Sequence, residues 1–234
     1  MMNFKYLCDQ YQLGRFRSVA QRNPGTTAQV WQLETDFGTF LVRTLRDNRQ
    51  GELEWNIHQH LRSRGFAAMP AIVVPYFEQG GLWYQVQECL TGSMPNPARP
   101  GVAGAMAGLV KELSVALADY PGGALIHGDL GPWNLLQCGD GRLMVIDFGE
   151  ACPGDPYFDY ASLLAGVINH TPTESREDVC REYVGALNCD RTHLLEQLRC
   201  WAEQGVTRWS GKNESMIARF RHAVDWAEEH LYDL

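Results

Sequence analysis

Three oxygen-bearing side chains stand at fixed spacing in a stretch that otherwise consists of short apolar runs typical of strands. Asn134 follows Asp129 by five residues, and Asp147 follows Asn134 by thirteen. A loop carboxylate held between rigid flanks can accept the proton of a substrate hydroxyl. An amide and a second carboxylate are oxygen ligands of the kind that Mg²⁺ prefers. The spacing therefore predicts Asp129 as a proton acceptor and Asn134 and Asp147 as metal ligands.

Length and charge exclude several classes of protein. The 234 residues are enough for one large domain or two small lobes with a real core. No apolar run approaches the ~18 residues of a membrane span. Lys5 and Asp9 interrupt the start of the chain where a signal peptide needs an apolar segment, so we expect a cytoplasmic protein. The net charge of −8 argues against nucleic acid or an anionic membrane as the main partner.

The charge is unevenly distributed along the chain. Residues 1–92 hold 9 basic and 8 acidic side chains, whereas residues 93–234 hold 11 basic and 20 acidic ones. An acidic second half would suit a cationic substrate. It would equally serve as a solvated surface that keeps the protein in solution, and the sequence leaves both interpretations open.

Hydrophobic periodicity predicts an α+β chain of two lobes. The first lobe, residues 1–92, is expected to be an antiparallel sheet with one helix, with strands over 29–33, 39–45, 71–77 and 82–88 and a helix over 51–64. Three prolines within 92–100 interrupt regular structure and mark the boundary. The second lobe, residues 93–234, is expected to be mainly helical, with helices over 102–120, 159–168, 175–187, 192–203 and 214–231 and short strands over 125–126 and 143–146.

The segment around Asp129 resembles the aminoglycoside phosphotransferase and choline kinase superfamily, the small-molecule branch of the protein-kinase fold. Three motifs carry the resemblance: His127-Gly128-Asp129-Leu130-Gly131-Pro132-Trp133-Asn134, Ile146-Asp147-Phe148-Gly149 and Gly154-Asp155-Pro156-Tyr157-Phe158-Asp159. The resemblance implies a two-lobed kinase-like fold and transfer of the γ-phosphate of ATP, with GTP as the alternative, to a hydroxyl of a small molecule with Mg²⁺ as cofactor. His127 is a further candidate of the catalytic loop, which we expect to orient that loop by hydrogen bonds. Trp133 is expected to pack rather than to bind.

The same resemblance assigns phosphate-binding roles in the first lobe. Arg43 takes the place of the basic strand residue that holds the α- and β-phosphates, where lysine is commoner, and it can clasp phosphate bidentately. Its helix partner would be Glu54, with Glu52 as the neighbouring candidate. Two further groups complete the expected nucleotide site: Gly25, Thr26 and Thr27 as a phosphate-covering loop, and Gln87, Glu88 and Cys89 as a hinge whose backbone reads the base.

Two differences within the kinase-like fold narrow the function. Only one helix, over about 30 residues, fits between the hinge and the catalytic motif, which argues against a bulky acceptor. Eight residues separate Asp147 from Asp155, too few for the activation segment of a protein kinase. Asp155 and Asp159 are expected to cap or brace the catalytic loop. The alternatives to a small-molecule kinase are a nucleotide-binding regulatory protein without turnover and, less favoured, a protein kinase.

Overall fold

The chain divides into two compact units, Met1–Thr91 and Gly92–Leu234. The computed structural model describes residues 2–22 and 28–234. The predicted α+β class is confirmed, because the first unit is built on an antiparallel sheet and the second is largely helical. Within the described residues, no helix combines the length and apolar character that crossing a bilayer requires.

The N-terminal unit is a five-stranded antiparallel sheet in the order β1-β2-β3-β5-β4. Its elements are α1 (Phe4–Gln10), β1 (Phe16–Gln21), β2 (Val30–Thr35), β3 (Thr39–Leu45), α2 (Asn48–Ser63), β4 (Ile72–Gln79) and β5 (Leu82–Glu88). Leu33, Val42 and Val86, from three adjacent strands, are fully buried in the same core cluster as Leu7 of α1. Burying these side chains stabilises the sheet by roughly 1.5–3 kcal/mol each.

Helix α2 begins three residues before its predicted start because of its cap. The Asp47 carboxylate accepts a hydrogen bond from the Gln50 backbone N–H at 2.9 Å, which satisfies one of the unpaired donors of the first turn. Ile57 and Leu61 then bury one apolar stripe at a spacing of four residues. Glu54 lies on the buried side of the same helix and is only 4% exposed.

The C-terminal unit contains the catalytic motif and most of the helices. Its elements are β6 (Gly92–Ser93), α3 (Val102–Leu117), β7 (Leu125–Ile126), β8 (Leu135–Cys138), β9 (Leu143–Val145), β10 (Cys152–Pro153), α4 (Pro156–His170), α5 (Arg176–Leu187), α6 (Arg191–Trp209) and α7 (Glu214–His230). Strands β6, β8 and β9 form one small antiparallel sheet, and β7 pairs with β10. These short strands hold the two ends of the catalytic loop.

Two helices differ from the predicted bounds for identifiable reasons. Helix α4 begins at Pro156 rather than at residue 159, because Asp155 caps it and proline is well tolerated in a first turn. Helix α6 continues to Trp209 rather than ending at residue 203. Gly205 does not break it, since a Cβ atom there would lie 2.2 Å from the Phe220 ring and the glycine instead allows close packing against α7.

Helices α4 and α6 pack against each other, and their N-terminal ends are in contact. The Asp155 carboxylate at the start of α4 contacts the His193 imidazole at the start of α6, with Oδ2 and Nε2 2.6 Å apart. Because both helices lead away from this contact, they run in the same direction. At ~1.5 Å per residue, His170 and Arg208 lie at the same far end of the pair.

Candidate active site

The β8-β9 hairpin brings the two predicted metal ligands to its open end. Leu135 pairs with Val145, and the Ile146 N–H donates to the Asn134 carbonyl at 3.0 Å. Asn134 therefore lies at the start of one strand and Asp147 just past the end of the other. Asp147 has a left-handed backbone, with φ +65°, and is exposed. The hairpin thus brings the backbones of two residues thirteen positions apart to the same end of the sheet.

Asn134 also fixes Asp129, the third member of the motif. The Asn134 side-chain N–H₂ donates to the Asp129 backbone carbonyl at 2.8 Å and to Asp129 Oδ2 at 3.0 Å. Since both partners are acceptors, the nitrogen of the amide must be the atom that faces Asp129. The amide oxygen of Asn134 is therefore turned away from Asp129, where it can serve as a ligand.

The carboxylate of Asp129 sits in a partly desolvated environment. Burial raises the pKa of Asp129 above its ordinary value, and the negative charge of Asp147 acts in the same direction. The electrostatic effect of His127, the hydrogen bond from Asn134 and the charge of Arg208 oppose that shift. Asp129 and Asp147 are thus close enough to repel each other, and a cation between their oxygens would relieve that repulsion.

His127 is fully buried and links the catalytic loop to the strand before Asp147. Its Nδ1 accepts from the Asp129 N–H at 3.4 Å, so the proton lies on Nε2, which donates to the Ile146 carbonyl at 3.0 Å. Its ring lies 5.0 Å from that of Phe148. This geometry positions the loop and leaves no nitrogen directed at a substrate, so His127 supports Asp129 rather than reacting itself.

Asp159 holds the catalytic loop from α4. Its carboxylate accepts hydrogen bonds from the backbone N–H groups of His127, at 2.6 Å, and Gly128, at 3.0 Å. The side chain is almost completely buried, and that burial raises its pKa. Asp159 therefore braces the loop as the sequence indicated. Asp155 does not contact the loop, because its carboxylate caps α4 and pairs with His193.

Gly128 is required by the backbone of the loop. Its φ is +80°, a conformation that side chains rarely adopt, and a Cβ atom there would lie 2.4 Å from the Glu150 carbonyl oxygen. The loop can approach the turn after Asp147 only because this position has no side chain. The glycine is thus part of what holds Asp129 near Asp147.

Trp133 packs on one side and is exposed on the other. Its ring lies directly over Gly131, where a Cβ atom would be 2.3 Å from the ring. It lies 6.4 Å from the His170 ring at the end of α4. Even so, 42% of Trp133 remains exposed. One side of the ring therefore packs as predicted, and the other side faces solvent.

The N-terminal unit contains a buried ion pair between the predicted basic residue and the helix glutamate. Arg43 on β3 donates from Nη2 to Glu54 Oε2 on α2, and the two side chains are 10% and 4% exposed. Arg43 also donates to the Gln85 side-chain oxygen at 3.2 Å, and Gln50 donates to Glu54 Oε1 at 2.8 Å. Glu54 rather than the exposed Glu52 is thus the partner. The pair fixes the guanidinium in one orientation.

The remaining predicted nucleotide contacts are placed only in part. Gly25, Thr26 and Thr27 lie outside the described residues. Gln87 and Glu88 end β5, and Cys89 follows it. The Glu88 N–H donates to Ala71 O at 2.8 Å, and the Cys89 N–H donates to Thr39 O at a longer 3.4 Å. A base at this segment would therefore meet carbonyl oxygens more readily than these two amide donors.

The predicted metal ligands are oxygen donors that suit magnesium, although they are only two. Among the residues that the structure describes, no group of three or more His, Cys, Asp or Glu side chains could hold a metal ion. The predicted pair is one amide oxygen and one carboxylate. Mg²⁺ commonly binds one or two protein oxygens and completes its shell with waters and substrate phosphates. The donor set at Asn134 and Asp147 is compatible with that mode.

Arg208 is the residue near the site that sequence reasoning missed. It lies in the last turn of α6, and its charge acts on the Asp129 carboxylate although 79 residues separate them. Periodicity places Arg208 on a helix but cannot show which loop that helix end faces. The only sequence signal is a local excess of basic residues, since 205–222 contains four Arg or Lys and one acid within an acidic half.

Together, the fold and the loop define a protein of the kinase-like class in which Asn134 binds Asp129 and the charge of Asp147 acts on that carboxylate. The phosphotransferase enzyme family matches residues 106–195, which include the catalytic loop and both carboxylates. The predicted resemblance to the aminoglycoside phosphotransferase and choline kinase superfamily is confirmed. No curated protein sequence matches the chain.

Solved structures of that superfamily share the fold across nearly the whole chain. A thermostable mutant of aminoglycoside phosphotransferase APH(4)-Ia with AMP-PNP and hygromycin B has a TM-score of 0.66 at 14% identity, covering 94% of this chain and 95% of that one. Spectinomycin phosphotransferase APH(9)-Ia with ADP and spectinomycin has a TM-score of 0.64 at 10% identity, covering 94% and 93%. Choline kinase LicA from Streptococcus pneumoniae has a TM-score of 0.60 at 16% identity, covering 94% and 97%. At these identities the likeness establishes the fold.

Proposed function

We propose that this protein is a magnesium-dependent kinase that transfers the γ-phosphate of a nucleoside triphosphate to a hydroxyl of a small molecule. The observation that carries the proposal is the joint placement of Asp129, Asn134 and Asp147. A binding protein needs no half-buried carboxylate held by an amide beside a second carboxylate. The family match over residues 106–195 supports a small-molecule phosphotransferase.

Asp129 acts as the proton acceptor in this proposal. Asn134 occupies its Oδ2, so Oδ1 is the atom that receives the proton of the acceptor hydroxyl. The raised pKa makes the carboxylate a better base than an exposed aspartate. Asp159 and His127 hold the backbone that leads into Asp129, and Asn134 holds its carbonyl, so that oxygen is kept in one position.

Asn134 and Asp147 would hold the metal, and Arg43 would hold phosphate. When bound, Mg²⁺ offsets the charge that develops on the transferring phosphoryl group. The Asn134 amide oxygen and the Asp147 carboxylate are its two protein ligands. Glu54 orients the Arg43 guanidinium, which is permanently charged and suited to phosphate oxygens. Gly25, Thr26 and Thr27 are proposed to cover the phosphates.

ATP is the proposed nucleotide, with GTP as the alternative. Related structures contain ADP or AMP-PNP, which favours adenine. The carbonyl oxygens around Gln87, Glu88 and Cys89 can accept from the exocyclic amine of adenine, since the amide donors of Glu88 and Cys89 are used within the sheet. A guanine ring would instead need donors at this segment for its carbonyl oxygen.

The second candidate is a nucleotide-binding regulator without turnover. The arginine in place of the commoner lysine at position 43 is the observation that favours it. Against it stands the raised pKa of Asp129, since a carboxylate kept partly out of water lowers stability and serves no purpose in a scaffold.

The test is Asp129→Asn, measured for both turnover and nucleotide binding. We expect product formation to fall by about 10²- to 10⁴-fold, because a positioned base contributes on that order. Binding of Mg-AMP-PNP by calorimetry should change little. Asp140→Asn is the matched control, because it removes an equivalent charge from an exposed turn of the same unit. Full activity of Asp129→Asn would exclude the proposed role, and nucleotide binding without transfer to any acceptor by the wild type would favour the regulator.

A further inference from the structure

The far end of the α4-α6 pair places a positive charge beside the proton acceptor. Asp155 and His193 join the starts of the two helices, so His170 and Arg208, fifteen residues further along each, lie at their common end. His170 lies 6.4 Å from the Trp133 ring, and Trp133 directly precedes Asn134. The helix geometry therefore places the end of α6 at the same end of the pair as His170, and the charge of Arg208 acts on Asp129.

A second contact fixes the position of α4 against that loop. A Cβ atom at Gly166 would lie 2.1 Å from Pro132, so the last turn of α4 and the catalytic loop are in direct contact. His170 then follows Gly166 by one helical turn and donates from Nδ1 to its carbonyl at 2.8 Å. The end of the helix pair is therefore anchored to the loop that carries Asp129.

Arg208 is exposed and makes no ion pair with a carboxylate in residues 2–22 and 28–234. Other arginines of the same unit do: Arg181 pairs with Glu177 and Asp178, and Arg199 pairs with Glu228. A cation left without such a partner beside a reacting carboxylate is suited to bind an anion from solution. It would also repel a cationic acceptor.

The segment of the chain that contains Arg208 is locally basic within an acidic unit. Residues 205–222 carry Arg208, Lys212, Arg219 and Arg221 against Glu214 alone. Asn169 of α4 donates to the Arg219 carbonyl at 3.3 Å, so the start of α7 belongs to the same end of the unit. Asp147 and Glu150 are exposed close to Asp129, so the basic side chains of residues 205–222 add positive charge to a site that also contains acidic ones.

We infer that the acceptor of this kinase carries an oxyanion group, a carboxylate or a phosphate, which Arg208 binds while the hydroxyl meets Asp129, with the exposed Trp133 ring as a flat apolar wall. This inference rests on the proposed function and opposes the cationic acceptor that the acidic second half would suit. Arg208 is a specificity-determining residue in this account. Its fork of N–H donors matches the geometry of either oxyanion.

The experiment identifies the acceptor and then tests the arginine. A small-molecule cell extract is incubated with the wild-type protein and Mg-[γ-³²P]ATP, and labelled products are identified by mass spectrometry. Four related sugar compounds of different charge are tested as acceptors in the same assay: gluconate, glucose 6-phosphate, glucose and glucosamine. With the best acceptor found, KM and kcat are measured for Arg208→Gln, for Arg208→Lys, and for Arg181→Gln as a control that removes the same charge from α5.

The expected acceptor contains a carboxylate or phosphate, and the two acids of the series distinguish these sources. Arg208→Gln should raise its KM about ten- to a hundredfold, as expected for loss of a charged hydrogen bond, with kcat changed by less than about threefold. Arg208→Lys should recover part of the loss, and Arg181→Gln should match the wild type. A neutral or cationic acceptor, or an unchanged KM in Arg208→Gln, would overturn this inference alone. No labelled product at all would overturn the proposed function as well.

Discussion

At the scale of single residues, the main feature of the site is the partial burial of the Asp129 carboxylate, which raises its pKa. Asp129 is kept as an anion in a place that disfavours charge, and Asn134 donates to it without neutralising it. The side chains of His127 and Asp159 form hydrogen bonds with backbone groups in and beside the loop. The base is thus held by neighbours that do not compete for its remaining oxygen.

The raised pKa of Asp129 predicts how stability depends on pH. A carboxyl whose pKa is higher in the folded than in the unfolded state favours the folded protein at low pH, and that contribution is lost as the pH rises through the folded pKa. At neutral pH the ionised Asp129 therefore costs stability. Asp129→Asn should raise the melting temperature at pH 7, and the gain should shrink as the pH falls through the folded pKa of the wild type.

Thermal melts from pH 4 to pH 8 measure this effect. Asp140 provides the control of opposite sign, because hydrogen bonds from Arg142 lower the pKa of its exposed carboxyl. Asp140→Asn should give no gain at pH 7. A lower melting temperature for Asp129→Asn at neutral pH would contradict the predicted cost of the buried charge.

The spacing in the sequence identified the residues of the loop but not Arg208, which is distant from them along the chain. Asp129, Asn134 and Asp147 lie within 19 residues and are joined by a single hairpin, so local pattern is sufficient to associate them. Arg208 comes to the loop only through the direction of two packed helices. The exposure of Trp133 likewise depends on how its ring folds over Gly131.

At the scale of secondary structure, periodicity predicted the long elements and caps set their ends. The four strands β2 to β5 and the six helices α2 to α7 were found from their hydrophobic patterns. The start of α4 followed Asp155 rather than the apolar pattern, and the end of α6 followed packing of Gly205 against Phe220. Helix α1 and strand β1 were missed because seven- and six-residue elements at a chain end carry too little pattern.

Two helical glycines give a matched test of how closely α4 approaches the catalytic loop. At Gly166 a Cβ atom would lie 2.1 Å from Pro132, whereas at Gly108 in α3 nothing lies within 4 Å. Gly108→Ala should stabilise the protein by about 0.5–1 kcal/mol, because it removes only the entropy cost of glycine. Gly166→Ala should destabilise it by about 1–3 kcal/mol and also reduce turnover, because the loop must move away.

Urea denaturation and steady-state turnover of both variants measure these effects. The difference in sign between the two substitutions is the informative result, since each adds one methyl group to a helix. If Gly166→Ala were as stable and as active as Gly108→Ala, the close contact between α4 and Pro132 would be wrong.

At the scale of the whole molecule, the proposed cofactors should stabilise the fold together. A ligand that binds only the folded state adds about 2.7 kcal/mol at a concentration one hundred times its Kd. We expect Mg-AMP-PNP to raise the melting temperature, and EDTA to remove most of that increase, because the proposed ligands Asn134 and Asp147 would bind the metal and not the nucleotide itself. Mg-GMP-PNP in a parallel melt decides between adenine and guanine.

The control for this measurement is AMP-PNP without magnesium, which should give a small increase from Arg43 alone. An unchanged melting temperature with Mg-AMP-PNP and Mg-GMP-PNP at millimolar concentration would contradict the nucleotide site and with it the kinase proposal.

The contact between Asp155 and His193 affects how the acceptor specificity of such a protein could change in evolution. It fixes the beginnings of α4 and α6, while the residues inferred to select the acceptor are at their opposite ends. Exchanging residues 205–222 would then retarget the enzyme to a new compound while the phosphoryl chemistry of residues 127–147 stayed intact. Natural proteins of this fold that differ mainly in residues 205–222 should therefore share a mechanism and differ in the acceptor molecule that they phosphorylate.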